Sequence, residues 1–445
     1  MTTAVHEEWW RPAPGPEGPV PDATTGSSAS SGPFVGVLSL LFIMVLSPQS
    51  FLPLLAPLRI ALLAAGVTAL AYVRHRFTHP GGPPIWSRGT LLAAGLFLWA
   101  LGGAFFSYWP GGTVGFLSGT YIKTLALFFL LSQIVDSTAR LRATAWAMSL
   151  MTVPLAWTAI HHFLSSGAAG PSSRIVGYEA PLTENPNDLA LMLNLVLPLL
   201  GALLLIHPKP AVRAALVGIA LLDMAAIVCS FSRGGFLTLV AISLIGGVKI
   251  LTHHKERGLL LLGVGVLVAA LPFLPSGYLD RLWTIADMHE DKTGSAQTRW
   301  ADSLVAMRLI SENPLIGAGA GVGALALNAE RGATWTDVHN VYLELGVELG
   351  LPGLALFLAL YGTCLSLARR ARTEASEKGR FELACLAEGV EISLWGFGVA
   401  AFFHPVAYQF YFYWLAGLAL ALRFERGTAA EVTPWWAGAP GTVHA

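Results

Sequence analysis

Charge is scarce in this sequence, since lysine, arginine, aspartate and glutamate together make up 12% of its 445 residues. Soluble globular proteins carry about 25% of these residues, so the scarcity excludes an ordinary soluble domain. Hydrophobic residues make up 54% of the chain, and its mean hydropathy is +0.60. The 27 basic and 27 acidic residues balance, which provides no basic surface for nucleic acid. The composition therefore predicts an all-α membrane protein with many spans.

Cysteine is also rare, and Cys229, Cys364 and Cys385 all lie in apolar segments. Isolated cysteines in such segments are typical of small buried side chains, and their spacing excludes a disulfide framework or a cysteine-ligated metal site. The acidic segment 287–291 could bind a cation, but Lys292 and Gly294 beside it indicate a solvated turn. We therefore expect no metal and no other cofactor.

The N-terminal segment is polar, and long apolar runs follow it. Residues 1–33 are rich in Pro, Gly, Ser, Ala and Thr, which predicts a disordered tail without the pattern of a cleaved signal peptide. A helix that crosses a bilayer needs about 20 apolar residues, and at this length we predict about twelve spans. They begin near Phe34, Pro53, Gly89, Gly119, Ala143, Asp188, Ala214, Gly235, Gly258, Val341, Phe381 and Pro405. Spans 1–9 fall in residues 34–274 and spans 10–12 in 341–425, and residues 426–445 form a second tail.

Basic residues in the short loops predict the orientation of the chain. Under the twelve-span count, almost all lysines and arginines of the loops fall on one side: Arg74, Arg76, Arg88, Arg140, Arg142, Lys209, Arg213, Lys249, Lys255, Arg257, Arg369, Arg370, Arg372, Lys378, Arg380, Arg423 and Arg426. Because cytoplasmic loops carry such an excess, this side and both termini are predicted to be cytoplasmic.

One long polar loop, residues 275–340, is predicted on the opposite side, where basic residues should be few. That side nevertheless collects four arginines, Arg174, Arg233, Arg281 and Arg299. Arginine against the charge bias indicates an anion site, because its planar guanidinium matches phosphate oxygens. Next to Arg233, two glycines would let the backbone approach a ligand closely. The alternative is an interfacial arginine that caps helix ends and binds nothing.

His339 is the candidate base, since a neutral histidine can take a proton from a hydroxyl near neutral pH. It stands at the exit of the long loop, and helical spacing would put it on one face with Tyr342 or Leu343 and, beyond them, Val347. The alternative is an interfacial histidine bonded to Asp337 or a carbonyl. Glu344 and Glu348 lie inside the following span, where a carboxylate needs a partner, and we expect them to orient the histidine or clamp an arginine.

The glycine-rich segment 317–323 (GAGAGVG) imitates a dinucleotide-binding fingerprint. No strand precedes it and no βαβ unit surrounds it, so we do not predict a dinucleotide-binding site here. We predict a flexible turn lining the long loop.

Three motifs together resemble a known family. Residues 231–236 (FSRGGF), 313–319 (NPLIGAG) and 339–353 (HNVYLELGVELGLPG) look like the signature of the O-antigen ligase and O-antigen polymerase family. The resemblance implies a bundle of the lipid-dependent glycosyltransferase type, with one large periplasmic loop that contains short helices. It also implies the bacterial inner membrane as the location.

The resemblance further implies an activity and roles for residues. Members transfer a glycan from an undecaprenyl diphosphate carrier to an acceptor hydroxyl, in a single inverting step without metal. By motif, Arg233 and Arg299 would hold the diphosphate and His339 would activate the acceptor. Arg281 competes with Arg299 for the second phosphate role. Contacts with sugar or phosphate are also expected from Arg174, Asn187 and Glu344.

Several partners and one rival class stay open. The acceptor is a lipid A–core, a second lipid-linked glycan or a protein hydroxyl, and other polysaccharide assembly proteins and membrane lipids are expected partners. The rival is a twelve-span transporter or flippase of lipid-linked sugars, because Asp223, Glu388 and Glu391 fall inside predicted spans.

Overall fold

The computed structural model describes residues 31–78, 86–166, 175, 178, 180–252, 294–332 and 335–424. Most of the predicted N-terminal tail, the ninth predicted span, the first part of the long loop and the C-terminal tail lie outside these residues. Helix α1 begins at Ser31, slightly before the predicted end of the tail.

Within the described ranges the elements are helices. They are α1 (Ser31–Leu46), α2 (Pro48–Phe51), α3 (Ile60–Thr78), α4 (Arg88–Gly103), α5 (Pro110–Phe116), α6 (Ile122–Ile134), α7 (Thr138–Ser165), α8 (Pro186–Ile206), α9 (Pro210–Cys229), α10 (Arg233–Thr252), α11 (Ser295–Glu312), α12 (Gly323–Arg331), α13 (Val341–Glu377), α14 (Phe381–Ala400) and α15 (Phe410–Ala421). A π-helical turn, Leu117–Tyr121, makes α5 and α6 one continuous rod, and short 3₁₀ turns cover Pro53–Leu58 and Ala104–Phe106.

Seven helical stretches in the described part of the chain are long and apolar enough to cross a membrane. They are Arg88–Phe106, Pro110–Ile134, Thr138–Ser165, Pro186–Ile206, Pro210–Cys229, Val341–Glu377 and Phe381–Ala400, and Gly32–Leu46 and Phe410–Ala421 are shorter apolar helices. The predicted class, an all-helical protein with several spans, is confirmed. Within the described residues a helix lies at each predicted span except the ninth, and the count of twelve stays a prediction.

The core of the bundle surrounds α15. This helix has 12 residues, all of them buried, and at 1.5 Å per residue it is about 18 Å long, too short for a bilayer core of about 30 Å. Helices α6, α13 and α14 pack around it. Tyr121 and Tyr413 join their hydroxyls at 2.7 Å between the α5–α6 rod and α15, which satisfies both polar groups inside the apolar core.

Helix α13 is bent at Gly350, which has φ 67° and ψ −175°. Pro352 has no N–H to donate to the carbonyl of Glu348, and the N–H of Leu351 turns away to the carbonyl of Pro314 at 2.7 Å. The carbonyls of Val347 and Glu348 are thereby released from the helix. They accept the N–H groups of Ala318 and Gly319 at 2.7 Å and 2.9 Å, so the bend anchors the glycine-rich segment.

The segments that carry the predicted cytoplasmic arginines meet at one end of the bundle, which we call the basic end. Arg142 at the start of α7 forms an ion pair with Glu382 at the start of α14, with 2.8 Å between Nη1 and Oε1. Arg88, Arg370 and Arg423, from three distant segments, line one cavity there. Arg233 begins α10 and His339 precedes α13, so these residues lie at opposite ends of their helices from Lys249 and Arg370. We call their end the outer end. Which end faces the cytoplasm stays a prediction.

Candidate functional site

The first turn of α10 carries the SRGG motif and packs against two other parts of the outer end. Ser232 caps the helix, because its Oγ accepts the N–H of Gly235 at 3.1 Å and donates to Oδ1 of Asn187 at 2.9 Å. A Cβ on Gly234 would lie 2.8 Å from Cβ of Phe403, and one on Gly235 would lie 2.6 Å from Cβ of Ala190. The space that the sequence analysis reserved for a ligand beside these glycines is therefore filled by protein.

Arg233 and Arg299 come together through helix α11. Nη2 of Arg233, the first residue of α10, donates to Oγ of Ser295 at 3.0 Å. Ser295 is the first residue of α11, and Arg299 follows it by four residues, which is one helical turn on the same face. Two arginines that are far apart in the sequence thus lie beside each other at the outer end, and both are half-buried.

His404 links these elements, and the sequence analysis missed it. It lies in the 401–409 segment between α14 and α15 and is almost fully buried. Nε2 lies 3.1 Å from the carbonyl oxygen of Asn187, and Nδ1 lies 3.0 Å from that of Ala400. Burial lowers the pKa of His404 to about 4, and the nearby charges of Arg299 and His339 act in the same direction. His404 is therefore neutral at neutral pH and donates to one carbonyl at a time.

His339 precedes α13 and is oriented by the backbone. Nδ1 lies 2.8 Å from the carbonyl oxygen of Asp337. A carbonyl can only accept, so Nδ1 carries the proton and a neutral ring has its basic lone pair on Nε2. Asn340 caps α13 by accepting the N–H groups of Tyr342 and Leu343. The predicted helical face shared by His339 and Tyr342 is wrong, because the helix begins only at Val341.

Glu344 and Glu348 bind backbone amides, which corrects their expected partners. Oε2 of Glu344 accepts the N–H of Ala407 at 3.1 Å, which fixes the 401–409 segment. The two oxygens of Glu348 accept the N–H groups of Gly321 and Gly323 at 2.7 Å and 2.8 Å. We expected a histidine or an arginine as the partner of these two carboxylates. Among the described residues, these bonds give them backbone N–H groups as partners.

The glycine-rich segment is packed against α13, which corrects the prediction of a flexible turn. Gly317, Gly319 and Gly321 have positive φ angles of 74°, 106° and 73°, a backbone conformation that side chains with a Cβ disfavour. A Cβ on Gly323 would lie 2.8 Å from Oε1 of Glu348. Gly323 therefore allows the close approach to this carboxylate, whereas Gly319 and Gly321 lie against Ser107 and Phe116.

An open cavity of about 450 Å³ adjoins the glycine-rich segment and is lined by Tyr108, Leu325, Asn328, Ala329 and Trp335. The N–H of Tyr108 donates to the carbonyl of Ala318 at 2.9 Å. The N–H of Trp335 donates to Oδ1 of Asn328 at 2.7 Å, and Trp335 has a positive φ of 46°. Strained backbone at an exposed aromatic residue indicates a functional position.

The remaining predicted residues have different outcomes. Arg174 and Arg281 lie outside the described residues, so the competition between Arg281 and Arg299 stays open. Asn187 braces Ser232 and His404, and its contact with substrate stays a prediction. In the described ranges no three His, Cys, Asp or Glu side chains are grouped to hold a metal ion.

Two of the carboxylates that suggested a transporter, Asp223 and Glu391, have separate partners inside the helix bundle. Glu391 pairs with Lys249 at 2.8 Å and with Arg372 at 2.9 Å. Asp223 of α9 accepts the hydroxyl of Thr152 of α7 at 2.9 Å. These contacts do not connect Asp223 and Glu391 into a row across the bundle.

One comparison with known proteins bears on this site. Residues 198–358 match the sequence profile of a family described as O-antigen ligase. The matched range includes Arg233, Arg299 and His339, and it confirms the resemblance drawn from the three motifs. A search of curated proteins found no match.

Proposed function

We propose that this chain transfers a glycan from undecaprenyl diphosphate to an acceptor hydroxyl, since its residues 198–358 match the sequence profile of a family described as O-antigen ligase. The reaction takes place at the periplasmic face of the inner membrane, during assembly of cell-surface polysaccharide. The observation that carries the proposal is the convergence of Arg233, Arg299 and His339 around the buried His404.

The proposed step is a single displacement at the anomeric carbon. The acceptor oxygen forms a bond to this carbon as the bond to the diphosphate oxygen breaks, which inverts the configuration. The acceptor proton passes to Nε2 of His339. Charge that develops on the diphosphate is held by the guanidinium groups of Arg233 and Arg299, and such fixed donors stabilise a transition state strongly because they need no reorganisation.

We assign the acceptor glycan to the cavity between Tyr108 and Trp335. A pyranose ring has an apolar face of C–H groups that packs on an aromatic ring, while its hydroxyls reach polar groups at the rim. The volume of about 450 Å³ is within the usual range for small-ligand sites. Trp335 precedes His339 by four residues in the segment between α12 and α13, so this segment connects the cavity to the base.

A reconstituted assay tests the proposed function. Purified protein in liposomes receives an undecaprenyl diphosphate-linked oligosaccharide together with lipid A–core, a second lipid-linked oligosaccharide or a serine-containing peptide, each in a separate reaction. We expect release of undecaprenyl diphosphate and a new glycosidic bond of inverted configuration with one of these acceptors, with and without chelator. Movement of the intact lipid-linked glycan across the bilayer without a new bond would instead identify a transporter.

The acceptor cavity has its own test. Trp335→Ala should raise the acceptor KM about tenfold, the loss of about 1.5 kcal/mol of aromatic packing, while the donor KM stays unchanged. Trp335→Phe should keep most of the affinity. Trp86→Ala is a matched control, since Trp86 and Trp335 have nearly equal exposed fractions of 66% and 67%. A rise in the donor KM alone would move the cavity to the donor glycan.

A further inference from the structure

Three arginines from distant parts of the chain line one cavity at the basic end. Arg88 begins α4, Arg370 lies in the last turns of α13, and Arg423 follows α15. The cavity has a volume of about 390 Å³, and its lining also includes the hydroxyl residues Ser87, Thr363 and Ser366. Among the described residues that line it there is no aspartate or glutamate, so its wall is strongly positive.

The lining changes from charged to apolar along α13. Arg370 and Ala359 both line the cavity and are eleven residues apart, which at 1.5 Å per residue is about 16 Å along the helix. Gly362 lies between them, and a Cβ built on it would meet no atom within 4 Å. The cavity therefore continues from its arginine mouth into an open apolar groove on the span.

Several basic residues elsewhere at this end are paired with carboxylates. Arg140 contacts Asp136 at 2.9 Å, and Arg372 contacts Glu391 at 2.9 Å. The lining of the cavity combines three arginines with three hydroxyl residues. Burial lowers the pKa of Arg423 to about 10, while Tyr72 acts in the opposite direction, and a bound anion would further favour the charged form.

We propose that this cavity binds the phosphate headgroup of an anionic glycerophospholipid. The phosphate lies among Arg88, Arg370 and Arg423, and one acyl chain lies in the groove along Ala359 and Gly362. A soluble phosphate ester offers the same headgroup chemistry, but it would leave the apolar groove empty. Basic pockets between membrane helices on the cytoplasmic side suit such lipids, because headgroup charge and acyl chain are bound together. This site is independent of the glycan-transfer proposal.

Native mass spectrometry of the full-length protein, titrated with phosphatidylglycerol or phosphatidylcholine, tests the charge requirement. We expect phosphatidylglycerol to bind selectively, and Arg370→Gln to weaken it about fivefold, the value of one lipid-facing cation. Arg369→Gln is the matched control, since it removes the same charge from the adjacent exposed position, which does not line the cavity. Equal effects of the two substitutions, or equal binding of both lipids, would overturn the proposal.

Gly362→Leu tests the groove without changing any charge. Leucine is a better helix former than glycine and here meets open space, so the fold should be kept. We expect weaker phosphatidylglycerol binding in this variant, and weak competition by sn-glycerol 3-phosphate in the wild type. If Gly362→Leu has no effect and glycerol phosphate competes as well as the lipid, the ligand is a soluble phosphate ester and the lipid assignment is wrong.

Discussion

Two carboxylates of α14 and two carboxylates of α13 bind different kinds of partner. At the basic end those of α14 bind cations, as Glu382 binds Arg142 and Glu391 binds Arg372. At the outer end the carboxylates of Glu344 and Glu348 bind backbone N–H groups of the 401–409 and 317–323 segments.

A carboxylate that binds arginine neutralises it, whereas one that binds amides fixes the shape of a loop. At the outer end, two acidic side chains hold the 401–409 segment, which carries His404, and the glycine-rich segment. This arrangement suits a site whose cations serve a substrate, which is how the proposed function uses them.

Chemical labelling gives the largest effect and tests which end is outside. In a background with Cys229, Cys364 and Cys385 replaced by alanine, Ser311→Cys should react with a membrane-impermeant maleimide in intact cells. Ser376→Cys should react only after permeabilisation, and both positions are exposed. The opposite pattern would invert the orientation and remove the proposed periplasmic site.

His339→Ala should lower the rate of glycan transfer by about 10²–10⁴-fold, the usual worth of a general base. Binding of the lipid-linked donor should change little. Acidification should also lower the wild-type rate, because protonation removes the lone pair on Nε2. His161, an exposed histidine of α7, is the control, and His161→Ala should behave as wild type. Equal loss in both variants would argue for a general structural effect.

Arg233→Lys and Arg299→Lys keep the charge and remove the planar guanidinium fork. Each should lose about tenfold to hundredfold in kcat/KM for the donor, because fixed donors to a developing charge are lost. The control lies on the same helix as Arg299, where Arg308 pairs with Glu312 at 2.8 Å on the exposed surface. Arg308→Lys should be near wild type, and full activity of the two site variants would exclude them from the diphosphate.

Glu348→Gln should destabilise the protein by about 2 kcal/mol. The side-chain NH₂ of glutamine cannot accept a hydrogen bond, so it would face one of the two backbone N–H groups that the carboxylate now binds. The measurement is thermal unfolding in detergent, together with the transfer rate. Glu377→Gln changes an exposed carboxylate at the other end of α13 and should leave the melting temperature unchanged. A stable Glu348→Gln variant would contradict the anchoring of the glycine-rich segment.

An effect of similar size is expected from the protonation of His404. Its folded pKa of about 4 lies below the value near 6.5 for an unfolded histidine, so only the unfolded state gains a proton between these values. Stability is therefore complete above about pH 6.5 and falls on acidification, by about 2 kcal/mol between pH 7 and pH 5. His404→Gln cannot be protonated and should reduce this slope, as measured by the melting temperature at the two pH values. An unchanged slope would assign the acid sensitivity to other groups.

The sequence predicted the membrane class and the O-antigen ligase resemblance because both depend on local patterns. Apolar runs of span length need no partner to be recognised, and the three motifs are contiguous. It missed His404 because a single histidine between two apolar runs has no spacing that distinguishes it. It also gave Glu344 and Glu348 the wrong partners, since charge alone favoured an arginine or a histidine.

Sequence by itself therefore determined where the apolar helices lie in the described chain, which segments carry arginine, and which three motifs resemble the family. Only the tertiary structure decided that Gly350 and Pro352 release two carbonyls of α13, and that Glu348 binds the amides of the glycine-rich segment. The physical reason is that a buried polar group must find a partner somewhere, and which N–H lies within reach depends on how distant segments pack.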